Sequence, residues 1–128
     1  PSEQITLKEQ ALLLLDNAET MNPAWSEINF KRGRLYAVTG AYNLTPDGEK
    51  LAQEQYQIAI RKNPMHYRAR EELAKILVAQ GQPAAAFDIL AAGLEYPMPA
   101  AINENYLPLM RQLQGLAAVQ KKYREQTE

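Results

Sequence analysis

The sequence has no cysteine among its 128 residues. Disulfides, thiolate chemistry and cysteine-based metal sites are therefore excluded, although cysteine-free chains occur in both the cytoplasm and the periplasm. Long hydrophobic runs are absent too: the longest, Ala11 to Leu15, has five residues, whereas a membrane-crossing helix needs about 18 or more. We therefore predict no membrane contact by this chain itself.

Neither sign of charge is in excess, and the residues that catalysis needs are scarce. Lys and Arg together number 14 and Asp and Glu 15, so no net field favours nucleic acid as a partner. His66 is the only histidine, and it lacks the second ligand or orienting partner that metal binding or acid–base catalysis requires. Phosphate-binding glycine loops and the Gly-x-Ser-x-Gly pattern are missing. The sequence therefore predicts no catalytic residue, no cofactor and no metal site, and hence no enzyme.

What the sequence does contain is a set of similar residues that recur at intervals of 41 and 34 residues. A small, a large and again a small residue, followed by a proline, is typical of a helix that packs closely and then ends. Recurrence near 34 residues predicts stacked helical hairpins. The recurring sets are Ala11, Ala52 and Ala86; Leu15, Tyr56 and Leu90; Ala18, Ala59 and Gly93; and, with a last interval of 33, Pro23, Pro64 and Pro97.

The first helix is predicted to begin at Thr6, because Thr6 and Glu9 form a capping box. It is expected to end at Asn22, since Pro23 removes that residue from helical geometry. A second helix is predicted from about Ala24 and a third as far as Lys62. The apolar face of the first helix is predicted to comprise Leu7, Ala11, Leu14, Leu15 and Ala18.

Two features of the second and third helices carry structural predictions. Gly33 lies inside a helix at a cost of about 1 kcal/mol, which predicts the close approach of a neighbouring helix. The stretch from Gly40 to Gly48 accounts for an interval seven residues longer than the next, close to two helical turns. We interpret it as one added turn on each helix, with Thr45 as N-cap, Pro46 as first helical residue, and Tyr42 packed against Leu51.

The last two-fifths of the chain predicts two or three further helices after a fourth that runs from Tyr67 to Gln80-Gly81. Pro83 begins the fifth helix, and its inward residues are predicted to be Ala86, Phe87, Leu90 and Leu94. Residues 100–126 are predicted to form a helix that breaks at Gln114-Gly115, which gives six or seven helices in all.

These residues resemble the tetratricopeptide repeat (TPR) family over residues 7–97. The repeat has two antiparallel helices, of which the second carries Ala, then a large residue four positions on, then a small residue before a Pro. The resemblance implies an all-α fold, a TPR-like stack of antiparallel helical hairpins in a right-handed superhelix. A single domain, 1–128, would contain a partial repeat (7–22), an extended repeat (24–63), a repeat (65–96) and a C-terminal cap (100–126). The first helices of the two full repeats match through Gly33, Tyr36 and Gly40, and through Leu73, Ala74, Leu77 and Gly81.

The sequence departs from the family at three positions. Asn29 and Arg70 stand where the family has tryptophan, and Arg32 replaces the leucine before Gly33. We predict that the stem of Arg32 fills that leucine's place.

The resemblance also implies a concave wall formed by the first helices of the hairpins, on which a protein or peptide would bind. Arg34, Arg68 and Lys75 would meet a carboxylate of the partner, and Phe30 would be an apolar anchor. The alternative is an ordinary solvated face of mixed charge. The implied partner-binding residues are Trp25, Glu27, Phe30, Arg34, Val38, His66, Arg68, Glu71, Lys75 and Val78.

Two further hypotheses concern the chain's wider context. Residues 94–97, with Tyr106, Leu109, Met110 and Leu113, also look like the soluble TPR-like tail of bacterial membrane-embedded glycan polymerases and O-antigen ligases. That resemblance implies an accessory tail in the periplasm; a stand-alone binding module would be cytoplasmic. Because the first helix is half a repeat, we expect a segment of a longer protein. Its uncovered apolar face predicts self-association as a homodimer.

Overall fold

The computed structural model describes the backbone of residues 2–97 and 100–127, and the side chains of residues 7–97 and 105–126. Every element in these ranges is an α-helix, which confirms the all-α prediction. The right-handed superhelix stays a prediction. The six helices are α1 (Ser2–Met21), α2 (Ser26–Ala41), α3 (Gly48–Lys62), α4 (Tyr67–Ala79), α5 (Pro83–Gly93) and α6 (Ala100–Thr127).

The chain divides into two compact units, residues 1–69 and residues 70–128. The division falls within α4, so the first turn of that helix belongs to the first unit. Each unit is described by itself below. The predicted single domain, with its repeat boundaries, stays a prediction.

Helix α1 ends where the sequence predicts but begins earlier. It stops at Met21, two residues before Pro23, and it starts at Ser2 rather than Thr6. The capping-box prediction is therefore wrong, because Thr6 and Glu9 both lie inside the helix. The predicted apolar face is only partly covered: Ala11 and Leu15 are half-buried, whereas 70% of Leu14 is exposed.

Helices α2 and α3 form an antiparallel hairpin with one very close contact. Asn29, near the start of α2, donates to Gln55 late in α3, and Gly40, near the end of α2, lies against Gly48 at the start of α3. Between these points the ring of Tyr56 occupies the space beside Gly33, where a β-carbon would be 2.7 Å from its Cε1. The predicted reason for a glycine at position 33 is confirmed.

The extra length of this hairpin is divided between the helices and their connection. Helix α2 has 16 residues against 13 in α4, and α3 has 15 against 11 in α5. One added turn on each helix is therefore observed, but residues 42–47 also form a loop. Asn43 and Asp47 adopt left-handed backbone angles there, with φ of 60° and 57°, which these residue types tolerate better than most.

The loop contradicts three detailed predictions. Thr45 is not the N-cap of α3, because Asp47 occupies that position. Thr45 is instead buried in the loop, and its hydroxyl lies 2.6 Å from that of Thr39. Pro46 precedes the helix, and Tyr42, at 75% exposure, does not pack across the hairpin against Leu51.

A polar network joins α1 to the hairpin, and Arg32 is at its centre. The Arg32 guanidinium is buried and donates to Asp16, Glu19 and Gln55 at 2.9–3.0 Å. Lys62 adds a third helix by donating to Glu19 at 3.0 Å. The prediction that Arg32 fills an inward position is confirmed, and the network shows that its charge is compensated there as well.

In the second unit, α4 ends at a glycine as predicted. Gly81 has a φ of +77°, and the N–H of Gln82 donates to the carbonyl of Leu77 at 2.8 Å. This bond is the six-residue closure of a Schellman motif, which glycine favours because it adopts left-handed angles without strain. Helix α5 then begins at Pro83, also as predicted.

The packing of α5 and α6 is organised by Tyr106. Its side chain is fully buried beside Gly93, and its hydroxyl donates to the carbonyl of Leu90. Among the residues predicted to point inward from α5, Ala86 and Leu90 are buried. Leu94 follows the end of the helix and is exposed, so its predicted position is wrong.

Helix α6 runs without interruption from Ala100 to Thr127, and the predicted break at Gln114-Gly115 is wrong. Gly115 lies on an exposed side, where a β-carbon would meet no atom within 4 Å. The buried face formed by Tyr106, Met110 and Leu113 precedes this point and keeps helical spacing. A glycine costs about 1 kcal/mol in a helix, which is too little to break one anchored by such packing.

Candidate functional site

In the first unit, two arginines converge on one buried aromatic ring. The guanidinium carbon of Arg68 lies 4.7 Å from the centroid of Phe30, and that of Arg34 lies 5.9 Å from it. Both arginines are exposed, whereas Phe30 is only 2% exposed. Stacking on an aromatic face orients an arginine and leaves its N–H groups directed to the surroundings.

Neither arginine of this pair is neutralised within the part of the chain whose side chains are described. The carboxylates in ion pairs there bond to Arg32, Lys62, His66 and Lys75 instead. Arg34 and Arg68 therefore present two positive charges over one apolar ring. We call Arg34, Arg68 and the underlying Phe30 the arginine pair site.

The prediction of Phe30 as an apolar anchor for a partner is wrong. Its ring is covered by the two arginines and packs on Tyr56 and His66, with centroid distances of 5.8 and 4.8 Å. Phe30 is thus the floor of the arginine pair site. A partner can reach the guanidinium groups above the ring but not the ring itself.

His66 has a structural environment. Its side chain is buried, and its Nδ1 accepts the backbone N–H of Ala69 at 3.2 Å. The neutral ring therefore carries its proton on Nε2, which donates to Glu27 at 3.0 Å. This bond links the first turn of α2 to the start of α4 and fixes the segment that carries Arg68. His66 and Glu27, both predicted to face a partner, bond to each other.

The two remaining predicted residues of the first unit are exposed and apolar. Trp25 is the N-cap residue of α2 and is 51% exposed, and Val38 lies two turns beyond Phe30 and is 54% exposed. Both are accessible to a partner, as the TPR resemblance implies.

The second unit contains a groove that includes two of the predicted residues, Glu71 and Lys75 of α4. They line it together with residues of α6. Lys75 lies 3.4 Å from Glu72 in an exposed ion pair, which surrounding water weakens. Val78, half-buried on α4, does not line the groove. The α6 side of the groove is formed by Asn105, Pro108, Leu109 and Gln112.

The α6 contribution was missed by sequence reasoning. Asn105 and Gln112 carry amides that can donate to and accept from a peptide backbone. Their spacing with Leu109, four and then three residues, is the signal for one helical face. That face was assigned to a cap, because the repeat pattern fades after residue 97 and gives no register for α6.

No family model matches this chain, and no curated protein matches it either. The described residues include no group of three or more histidine, aspartate or glutamate residues that could hold a metal ion. None of the helices in that part of the chain is long and apolar enough to cross a membrane. The arginine pair site and the α4–α6 groove are therefore the features from which a function is argued.

Proposed function

We propose that this chain is a non-catalytic, TPR-like interaction module that binds an acidic peptide or protein segment. The observation that carries the proposal is the arginine pair site, where Arg34 and Arg68 stack on Phe30 and no neighbouring carboxylate neutralises them. Carboxylates accept paired hydrogen bonds from a guanidinium group, and such charge-assisted bonds are stronger than neutral ones. A partner with two acidic side chains would satisfy both arginines.

The support structure of the site favours binding over an ordinary solvated surface. An exposed arginine normally loses considerable side-chain freedom when it binds, which weakens the complex. Here stacking restricts both side chains beforehand, and the buried Glu27–His66 bond holds the segment that precedes Arg68. In the second unit, the groove with Lys75, Asn105 and Gln112 offers a cation and two amides to a peptide.

The test uses chemical shift mapping with two synthetic peptides, one containing several aspartates and its twin with asparagine at those positions. We expect the acidic peptide to perturb residues around Arg34 and Arg68, and the amide twin to bind at least about ten-fold more weakly. The double variant Arg34→Gln/Arg68→Gln should lose the preference. Arg61→Gln, which removes an exposed charge from α3, is the matched control and should bind as the unaltered chain does.

Equal binding of the two peptides, or perturbations scattered away from both sites, would contradict the proposal. A preference for the acidic peptide that survives the double variant but is lost in Lys75→Glu would move the site to the α4–α6 groove.

We also propose, as the second candidate, that the module is the accessory tail of a bacterial membrane-embedded glycan polymerase or O-antigen ligase. Three of the residues that carry that resemblance, Tyr106, Met110 and Leu113, form the buried face of α6. The resemblance thus involves the packing of the last helix. A longer sequence of the protein with several spans of about 20 apolar residues would support this candidate; a parent without such spans would remove it.

A further inference from the structure

Two helices of the chain expose stripes with the same spacing and a similar composition. In α1 the stripe is Leu7, Gln10, Leu14, Asn17 and Met21; in α6 it is Leu109, Gln112, Leu116, Val119 and Tyr123. Each alternates steps of three and four residues, the spacing by which one helix packs along another. At 1.5 Å per residue both stripes are about 21 Å long. We call them the α1 stripe and the α6 stripe.

Both stripes are open to solvent for most of their length. Leu14 and Met21 are 70% and 87% exposed in the α1 stripe, and Val119 and Tyr123 are each 67% exposed in the α6 stripe. Large side chains exposed in a row are uncommon on a solitary soluble protein and indicate a contact surface.

The charges beside the stripes have opposite sign. Glu9 and Asp16 are exposed beside the α1 stripe, and Arg111 and Lys122 are exposed beside the α6 stripe. A helix turns by about 100° per residue. Viewed with the N-terminus upward, the acids therefore lie on the same side of the α1 stripe as the bases do of the α6 stripe.

We propose that the α1 stripe of one molecule packs antiparallel on the α6 stripe of a second molecule. In antiparallel helix pairs, matching flanks face each other, so this orientation brings Glu9 and Asp16 opposite Arg111 and Lys122. Pairing of two α1 stripes in that orientation would instead oppose Glu9 and Asp16 with their own copies. Pairing of two α6 stripes would oppose the bases in the same way. Charge therefore selects the unlike pair.

This contact differs from the homodimer that the sequence suggests. A symmetric homodimer would use the α1 face twice, whereas the proposed contact joins different faces and leaves one stripe open on each molecule. Further copies can then add by the same contact. The inference is independent of the acidic-peptide proposal, because none of its residues belongs to the arginine pair site.

Sedimentation velocity across micromolar to millimolar concentration tests the contact, with two single variants. Leu14→Lys places a base in the α1 stripe, and Val119→Glu places an acid in the α6 stripe. We expect the unaltered chain to gain mass beyond the monomer as its concentration rises. Each variant alone should raise the dissociation constant by about ten-fold or more, because the new charge faces the like-charged flank of its partner. A mixture of the two should associate again, since each supplies the stripe that the other lacks.

Gln57→Lys, an exposed substitution on α3, is the control and should associate as the unaltered chain does. Far-ultraviolet circular dichroism of each variant shows that its helices are intact. A monomer at every concentration would overturn the proposal. Dimers formed by Val119→Glu alone would also overturn it, because they would show that two α1 stripes pair with each other.

Discussion

The ring of Tyr56 in α3 occupies the space where Gly33 of α2 has no side chain. A β-carbon at position 33 would lie 2.7 Å from Cε1 and 2.9 Å from Cδ1 of the ring. Tyr56 is fully buried and also packs on Phe30, so it has little room to move. This contact sets how closely the two helices of the hairpin approach.

We therefore predict that Gly33→Ala destabilises the protein, although alanine is the better helix former. Helix propensity alone would add about 1 kcal/mol of stability, but crowding of a well-packed core costs about 1–3 kcal/mol. Urea denaturation of the variant should give a lower free energy of unfolding than that of the unaltered chain.

Gly115→Ala is the matched control, since Gly115 is also inside a helix but a β-carbon there would meet no atom within 4 Å. It should raise the free energy of unfolding by about 0.5–1 kcal/mol. If both alanine variants stabilised the protein, the tight contact between Gly33 and Tyr56 would be contradicted.

A second prediction concerns the buried guanidinium of Arg32. Arg32→Met keeps a long apolar stem but removes the donors to Asp16, Glu19 and Gln55. The loss of these bonds should cost about 1–3 kcal/mol; we discount the penalty of a fully buried pair because Asp16 and Glu19 are partly exposed. Lys31→Met, at the exposed preceding position, should change unfolding in urea by no more than about 0.5 kcal/mol. Equal effects of the two variants would show that Arg32 acts only through its stem.

A third prediction follows from the protonation of Glu19. The hydrogen bond from Lys62 lowers its pKa from the ordinary 4.5; burial opposes the shift, and Arg32 and Asn29 add to it. A carboxyl whose pKa is lower in the folded state stabilises that state fully above its unfolded pKa. The contribution is lost as the pH falls through the folded pKa.

The advantage of the unaltered chain over Glu19→Gln should therefore be largest at neutral pH and should shrink as the pH falls below 4.5. The measurement is the free energy of unfolding of both proteins across this range. Curves that stay parallel down to low pH would show that the network does not depend on the charge of Glu19.

The comparison of sequence with structure separates contacts that repeat from contacts that do not. Gly33, Ala52, Tyr56 and Gly81 could be interpreted correctly because their packing or backbone requirement is local and recurs between hairpins. The start of α1 and the continuity of α6 could not, because each rests on tertiary packing that outweighs a weak local signal, the capping box at Thr6 or the glycine at 115.

The candidate site shows the same limit. Spacing placed Arg34 and Arg68 on exposed surfaces of α2 and α4, but it could not show that Phe30 lies beneath both of them. Burial depends on which neighbours cover a ring, and His66 and Arg68 reach Phe30 from more than thirty residues along the chain. A pattern along one helix contains no information about such a neighbour.

The last prediction concerns the bond between Tyr106 and the end of α5. The carbonyl of Leu90 would normally accept from the N–H of Leu94, but that N–H donates to Ala91 instead. The hydroxyl of Tyr106 takes its place as donor and so satisfies a carbonyl that the helix end leaves open. Tyr106→Phe keeps the buried ring but removes the donor, and a buried polar group without a partner costs about 1–3 kcal/mol.

We expect thermal unfolding of Tyr106→Phe to begin at a lower temperature than that of the unaltered chain. The matched control is Tyr42→Phe, because Tyr42 is 75% exposed and its hydroxyl can bond to water whether the chain is folded or unfolded. That variant should melt as the unaltered chain does. If Tyr106→Phe were equally neutral, water would have to reach the carbonyl of Leu90, and the end of α5 would be more open than the buried ring indicates.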